Sequence, residues 1–409
     1  MSLRKLLFWV HLAVGIAAGA VILLMSITGV LLTYQRQMTA WADRGYRVQP
    51  AVQRAPAAVL LASASSFAPD VAPTGLTLRA DPSAPASVAL GRGRVLYLDP
   101  YTGKALGEGA SGIRAVFRVV TDLHRWLAMK DASRATARAV TGAANLGFLF
   151  LVISGLFLWV PKRWTRTQVK AVLLPRRGLG GKARDYNWHH VLGIWFAIPL
   201  ALVVASGVVI SYPWASALVY RAVGEQPPAP ARRAEAPPPA RPAAAAGIAA
   251  KPAEQAWTEG ESRSDGPAPL QLDARFDSLM ATAMAQTTDW TTVTVTLPVK
   301  NPNKVPFAID AGDGGQPQLR QTLTMDGTSG AVVALDRFED GSRGRRLRSI
   351  LRFAHTGEVL GIPGQTIAGL ASLAGAVLVW TGLALSYRRL MARVRRTRTV
   401  PVGQASPAL

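Results

Sequence analysis

Cysteine is absent from all 409 residues. That excludes a disulfide, a thiolate-held iron–sulfur cluster, a covalently attached c-type haem and a cysteine zinc site, so any bound metal relies on His, Met, carboxylate, Tyr or backbone. Acidic residues are scarce too: 24 Asp and Glu stand against 46 Lys and Arg, for a formal net charge of +22. No nucleic-acid recognition motif accompanies the excess, and no nucleic-acid partner is expected. No Ser/His/Asp set or spaced carboxylate pair marks a hydrolase, and Gly178-Leu179-Gly180-Gly181 follows no strand pattern, which excludes a dinucleotide fingerprint. Charged residues of both signs make up only 17% of the chain against 49% hydrophobic. The chain is too apolar for an ordinary soluble protein and too charged to lie wholly in lipid.

What is present is long apolar runs. Leu6 to Tyr34, Val140 to Val160, Trp188 to Tyr212 and Ile367 to Tyr387 each reach the roughly 20 residues needed to cross a bilayer. The first runs beyond the usual signal-peptide length without a cleavage site, and is read as a retained anchor. Basic residues set the orientation. Eight of them (among them Lys162, Arg163, Arg166 and Lys170) oppose one acid, Asp185, in the loop after the second run, and six arginines follow the fourth. By the positive-inside rule this loop and both termini are cytoplasmic, with anionic lipid headgroups beside them.

The expected fold class is therefore membrane α-helical. Spans occupy 1–34, 136–160, 188–212 and 367–387, and small external α+β domains occupy 35–135 and 213–350. A basic loop (161–187), a segment leading into the last span (351–366) and a basic tail (388–409) complete the plan, with a Pro/Ala-rich linker at 226–254 that cannot order itself.

The chain repeats itself. His11-x-x-x-Gly15 resembles His189-x-x-x-Gly193, and Ser26-Ile27-Thr28-Gly29 answers Ala205-Ser206-Gly207; His11 to Gly29 and His189 to Gly207 are both eighteen residues, five whole helical turns. Ser154-Gly155 and Thr381-Gly382 correspond in the second and fourth spans, each led by a segment carrying one histidine, His124 or His355. Small residues on the histidine face admit another helix or a flat ligand. Val95 to Leu106 and Leu323 to Val332 both read as strand, turn, strand, with Asp99 and Asp326 opening the turns; Trp290 to Leu297 reads as a further strand.

All five histidines, His11, His124, His189, His190 and His355, lie at or near the ends of these spans. Imidazole at membrane depth is costly unless paired or bound. His11 and His189 or His190 fall near the inner face, His124 and His355 near the outer. Two imidazoles on facing helices can hold an iron porphyrin, and two stacked haems would form an electron path. His189 keeps the repeat intervals; His190 stays open as the ligand or as a partner for a haem propionate, as Arg118, Arg125 and Arg352 do for the outer side.

Together these features resemble the PepSY-associated transmembrane family, which includes FoxB-like and PiuB-like iron-uptake membrane proteins. The resemblance rests on His11-x-x-x-Gly15 with Thr28-Gly29, Asp122-Leu123-His124-Arg125-Trp126 with Ser154-Gly155, Trp188-His189 with Gly193, and His355 with Thr381-Gly382. It implies four inner-membrane helices, PepSY-like periplasmic domains, two b-type haems with bis-histidine ligation, and reduction of a ferric siderophore or other ferric chelate. The cytoplasmic parts are too short for a flavin or nicotinamide fold, so a separate cytoplasmic reductase or a membrane quinol is expected to donate electrons. A second class stays open, a membrane-anchored module that binds peptide or peptidase without redox activity. Transport of the intact chelate is disfavoured, on the expectation that no span carries buried charge or a Gly/Pro-broken midpoint.

Overall fold

The computed structural model describes residues 2–91, 93–161, 165–228, 274–297 and 304–398. Most of the Pro/Ala linker, the Lys162-Arg163 pair and the end of the tail lie outside them.

In hydrocarbon every backbone amide must be satisfied within its own segment, so the apolar runs become helices. Twelve are described: α1 Leu3–Leu32, α2 Gln35–Ala42, α3 Ala57–Phe67, α4 Ser111–Trp126, α5 Ser133–Trp159, α6 Arg166–Leu173, α7 Gly181–Trp195, α8 Ala197–Ser211, α9 Pro213–Ala222, α10 Ala274–Ala285, α11 Arg343–Thr356 and α12 Gly361–Arg398. Three helical stretches are long and apolar enough to cross a membrane, in α1, in α5 and over Glu358–Val394, and a fourth results if α7 and α8 count together. The last helix starts six residues before the expected span and runs eleven beyond it.

The third apolar run departs from expectation. It is two helices meeting at 72°. The cause is Pro199: it has no N–H to give the Trp195 carbonyl four residues back, and its ring crowds that carbonyl. The chain turns at Phe196, whose N–H bonds Leu192 and whose carbonyl accepts from Leu200. The expectation of unbroken spans is thus wrong here, and that argument against transport falls with it. The expected loop 161–187 also holds structure: Thr165 caps α6 by accepting from the Gln168 N–H, and α7 begins at Gly181.

The external segments, expected as two separate units, share one antiparallel sheet. Strands β1 Gly75–Arg79, β2 Ala86–Ala89, β3 Val95–Leu98, β4 Ala105–Glu108, β5 Thr292–Thr296, β6 Val305–Asp310, β7 Arg320–Met325 and β8 Val332–Arg337 run in the order β4-β3-β2-β1-β5-β6-β7-β8. The seam is β1 against β5, five residue pairs from Gly75↔Thr296 to Arg79↔Thr292. Left apart, each half would expose a bare strand edge. Gly103 and Gly330, both at φ +74°, turn the end hairpins, with the Asp99 and Asp326 carboxylates accepting from turn N–H groups.

The strands alternate. Leu76, Leu78, Val293, Val295, Phe307 and Leu323 point to one face, buried under Leu60, Leu61 and Ala64 of α3 and Phe276, Leu279 and Met280 of α10. Thr77, Thr292, Thr294 and Thr322 point to the other, which faces α2 and α11.

A buried carboxylate joins sheet and helices. Asp43, just past α2, accepts from the Ala110 N–H at 2.7 Å and the Tyr97 hydroxyl at 2.9 Å and pairs with Arg114 of α4. Burial alone would raise its pKa, but the hydrogen bonds from Arg114, Ala110 and Tyr97 and the Arg114 charge outweigh it and lower the carboxyl below its usual 3.8. Asp43→Ala is expected to cost about 2–3 kcal/mol, because it strands a largely buried guanidinium that keeps some contact with water. A depressed carboxylate pKa adds stability that is complete above the unfolded value and fades as pH falls through the folded one. The gap in thermal midpoint between wild type and variant should therefore close below about pH 3.8; a gap that is flat with pH would contradict this account.

Candidate functional site

Four of the five histidines meet a hydroxyl residue followed by glycine on a neighbouring helix. His11 of α1 places Nδ1 2.8 Å from Ser154 Oγ of α5. His124 of α4 places Nδ1 2.9 Å from Thr28 Oγ1 of α1. His189 of α7 stands 3.0 Å from Thr381 Oγ1 of α12. His355 of α11 bonds the Val203 carbonyl at 2.8 Å, with Ser206 Oγ of α8 at 3.4 Å.

These contacts fix the tautomer. Ser154 gives its own proton to the Phe150 carbonyl, Thr28 to Leu24 and Thr381 to Val377, each at 2.7 Å. Their oxygens therefore accept, and the imidazole Nδ1 donates. At His355 a carbonyl, which can only accept, forces the same choice. All four rings present the Nε2 lone pair, the form that binds a metal, with the opposite nitrogen anchored.

The glycines give the rings room. A Cβ built on Gly155, Gly29 or Gly382 would come within 3.4–3.7 Å of the Cε1 of His11, His124 or His189, and one on Gly207 would approach His355 Cε1 at 3.1 Å and Asn145 Nδ2 at 2.8 Å. Gly15 and Gly193, read from the sequence as the clearance next to the histidines, meet only leucine methyls at 3.9 and 3.8 Å. The hydroxyl partners are what sequence reading missed. Ser154, Thr28, Thr381 and Ser206 were in view as small residues, and the signal was that a hydroxyl directly precedes each glycine.

The rings fall into two pairs. His124 and His355 face each other at the sheet end of the helices, ring centres 6.4 Å apart. His11 and His189 lie toward the other end, His11 against α5 and His189 against α12. Burial pushes His124 down to about 4, with His355 adding to the shift, and burial lowers His355 as well. His190, its ring centre 6.2 Å from that of its neighbour His189, has no hydroxyl partner on another helix: its Nδ1 bonds the Tyr186 carbonyl of its own helix and its ring lies over that tyrosine, centres 4.0 Å apart.

An imidazole nitrogen bonds a transition metal at about 2 Å and lies about 1 Å from its ring centre, so two axial rings on one iron stand roughly 6 Å apart, close to the spacing of His124 and His355. Among the described residues no three His, Cys, Asp or Glu side chains gather for a bare ion. Two ligands per site suit a metal whose other positions a macrocycle fills, and the residues present fit a haem. Of the candidate propionate partners, Arg125 lies over Trp126 and Arg352 over Phe353, while Arg118 lies beside Gly93.

The sequence profile described as PepSY-associated TM region matches residues 8–389. No curated protein matches the chain.

Gly207→Ala forces either Asn145 or His355 to move and should destabilise the chain by about 1–3 kcal/mol, while Gly193→Ala, whose added methyl meets only Leu378 at ordinary contact distance, should leave the thermal midpoint within about a degree of wild type or raise it. Equal effects at the two positions would show that the glycine after the hydroxyl has no special place.

Proposed function

We propose, from the premise that this chain belongs to the PepSY-associated TM family, that it is an oxidoreductase of the bacterial inner membrane. It holds two b-type haems and reduces ferric chelates, ferric siderophores among them, on the periplasmic side, as FoxB-like and PiuB-like members do. The observation that carries the reading is the fourfold imidazole–hydroxyl–glycine unit, arranged as one pair at each end of the helices.

In this reading α1, α5, α7 with α8, and α12 are four spans from an internal duplication, with both termini and the α6 loop cytoplasmic and the sheet periplasmic. His11 and His189 hold the inner haem, His124 and His355 the outer, and His190 is no ligand. When bound, haem supplies a one-electron couple at each face. The chain does the rest: the Nδ1 anchors hold each ring in one orientation, and α1, which carries both His11 and Thr28, sets the separation of the two sites. At about 1.5 Å per residue, the 17 residue steps from His11 to Thr28 span roughly 26 Å, most of a bilayer core. A membrane quinol or a separate reductase gives up one electron for each Fe(III) that becomes Fe(II), whose hold on hard oxygen ligands is weaker. A peptide-binding anchor would give the anchored imidazoles no work.

Purified protein should show a reducible Soret band. His124→Ala should lose one haem and His11→Ala the other, each halving the haem per chain. Thr381→Val, which takes away the hydroxyl acceptor of the His189 Nδ1–H and leaves it only the Leu378 carbonyl, should weaken retention of the inner haem by about tenfold. A colourless preparation that is fully folded would end the redox reading.

A further inference from the structure

The polar face of the sheet does not rest on the helices. Between it and α2, α11 and the start of α12 lies an open cleft of about 900 Å³, in the size range of small-molecule sites. Seven arginines line it against three aspartates. Arg36 is balanced by Asp313 and Glu358, and Arg320 by Asp310. Arg345, Arg346 and Arg352 on α11 have no acidic partner among the described residues, and all three border the cleft. Across from them the roof offers the hydroxyls of Thr292, Thr294 and Thr322.

We propose that this cleft binds the anionic oxygen face of a ferric chelate, and that the substrates of the chain are negatively charged catecholate or carboxylate complexes rather than uncharged hydroxamates. The proposal rests on the function argued above and narrows its substrate. Guanidinium is the suited group: its planar fork meets paired oxygens two at a time, and it sheds water more readily than ammonium. The place suits the chemistry. Arg352 precedes His355 by one turn of α11, about 4.5 Å along the axis, so a chelate held by the α11 arginines sits over the helix that carries one of the outer imidazoles. The free charge in the cleft is also what a neutral ligand has no use for, since like charges gathered on one helix repel.

The test uses full-length protein in nanodiscs of zwitterionic lipid and a redox-inert probe, the gallium(III) tris-catecholate, with the gallium(III) tris-hydroxamate beside it. Binding is followed by titration calorimetry at low and high salt. The catecholate should bind at least about tenfold more tightly than the hydroxamate, and its affinity should fall with added salt. Arg345→Gln with Arg346→Gln should remove most of that preference, and Arg345→Lys with Arg346→Lys should restore part of it; Arg345 is exposed and Arg346 half-exposed, so neither exchange threatens the fold. Equal binding of both probes, or no effect of the double Gln variant, overturns the proposal. So does displacement of the probe by anionic phospholipid at equal concentration, which would make the cleft a headgroup site. Because gallium takes up no electron, the outcome is independent of haem: a colourless protein with arginine-dependent catecholate binding would sink the redox reading and leave the cleft standing.

Discussion

The arrangement depends on one hydrogen bond made four ways. A serine or threonine inside an apolar helix has its proton committed to the carbonyl one turn back, as Ser154, Thr28 and Thr381 do, so its oxygen faces the next helix only as an acceptor. An imidazole meeting that oxygen must donate from Nδ1. The far nitrogen is left as a free lone pair. A commonplace helix feature thereby fixes protonation, ring orientation and helix packing together, and the glycine that follows leaves room for the ring edge at Cε1. His355 reaches the same state through the Val203 carbonyl, which shows that the requirement is an acceptor and not a hydroxyl as such.

The two halves use this bond in the same pattern. The histidine at the start of each half rests on the second long helix of that half, and the histidine before the second long helix rests back on the first. Each half thus ties its own helices together at both ends. The outer pair then forms only where the halves meet, since His124 and His355 come one from each. The sheet repeats the plan, four strands to a half, joined at β1 and β5. Asp43 connects the two layers: it holds Arg114 at the start of the helix that ends in His124, so the position of one outer ring is referred to the sheet.

Much of this was legible in the sequence, and what was not has physical reasons. Long apolar runs announce helices because composition alone decides their solvent, and histidines in repeated positions stand out against that background. Hairpin turns were readable at Asp99 and Asp326, where local chemistry suffices. The β1–β5 seam was not readable, because a strand's alternation tells which face is buried and says nothing about which edge it joins some two hundred residues away. Pro199 was in plain sight; its neighbours are so apolar that hydropathy averaged over the break. The hydroxyl partners were hidden in another way, since each contact crosses between helices and the spacing along one helix carries only half of it. Of the α11 arginines only Arg352 stood out in the sequence, as a propionate partner; Arg345 and Arg346 gain meaning from the sheet that hangs over them.

The seam has a consequence for how such a molecule can change. Two halves that end in free edges can drift apart by shuffling, loss or exchange of either one. Once β1 and β5 zip together, each half is the other's missing neighbour strand, and deleting either would uncover an adhesive ribbon. The two halves then stand or fall together, since neither can be removed without baring the edge of the other.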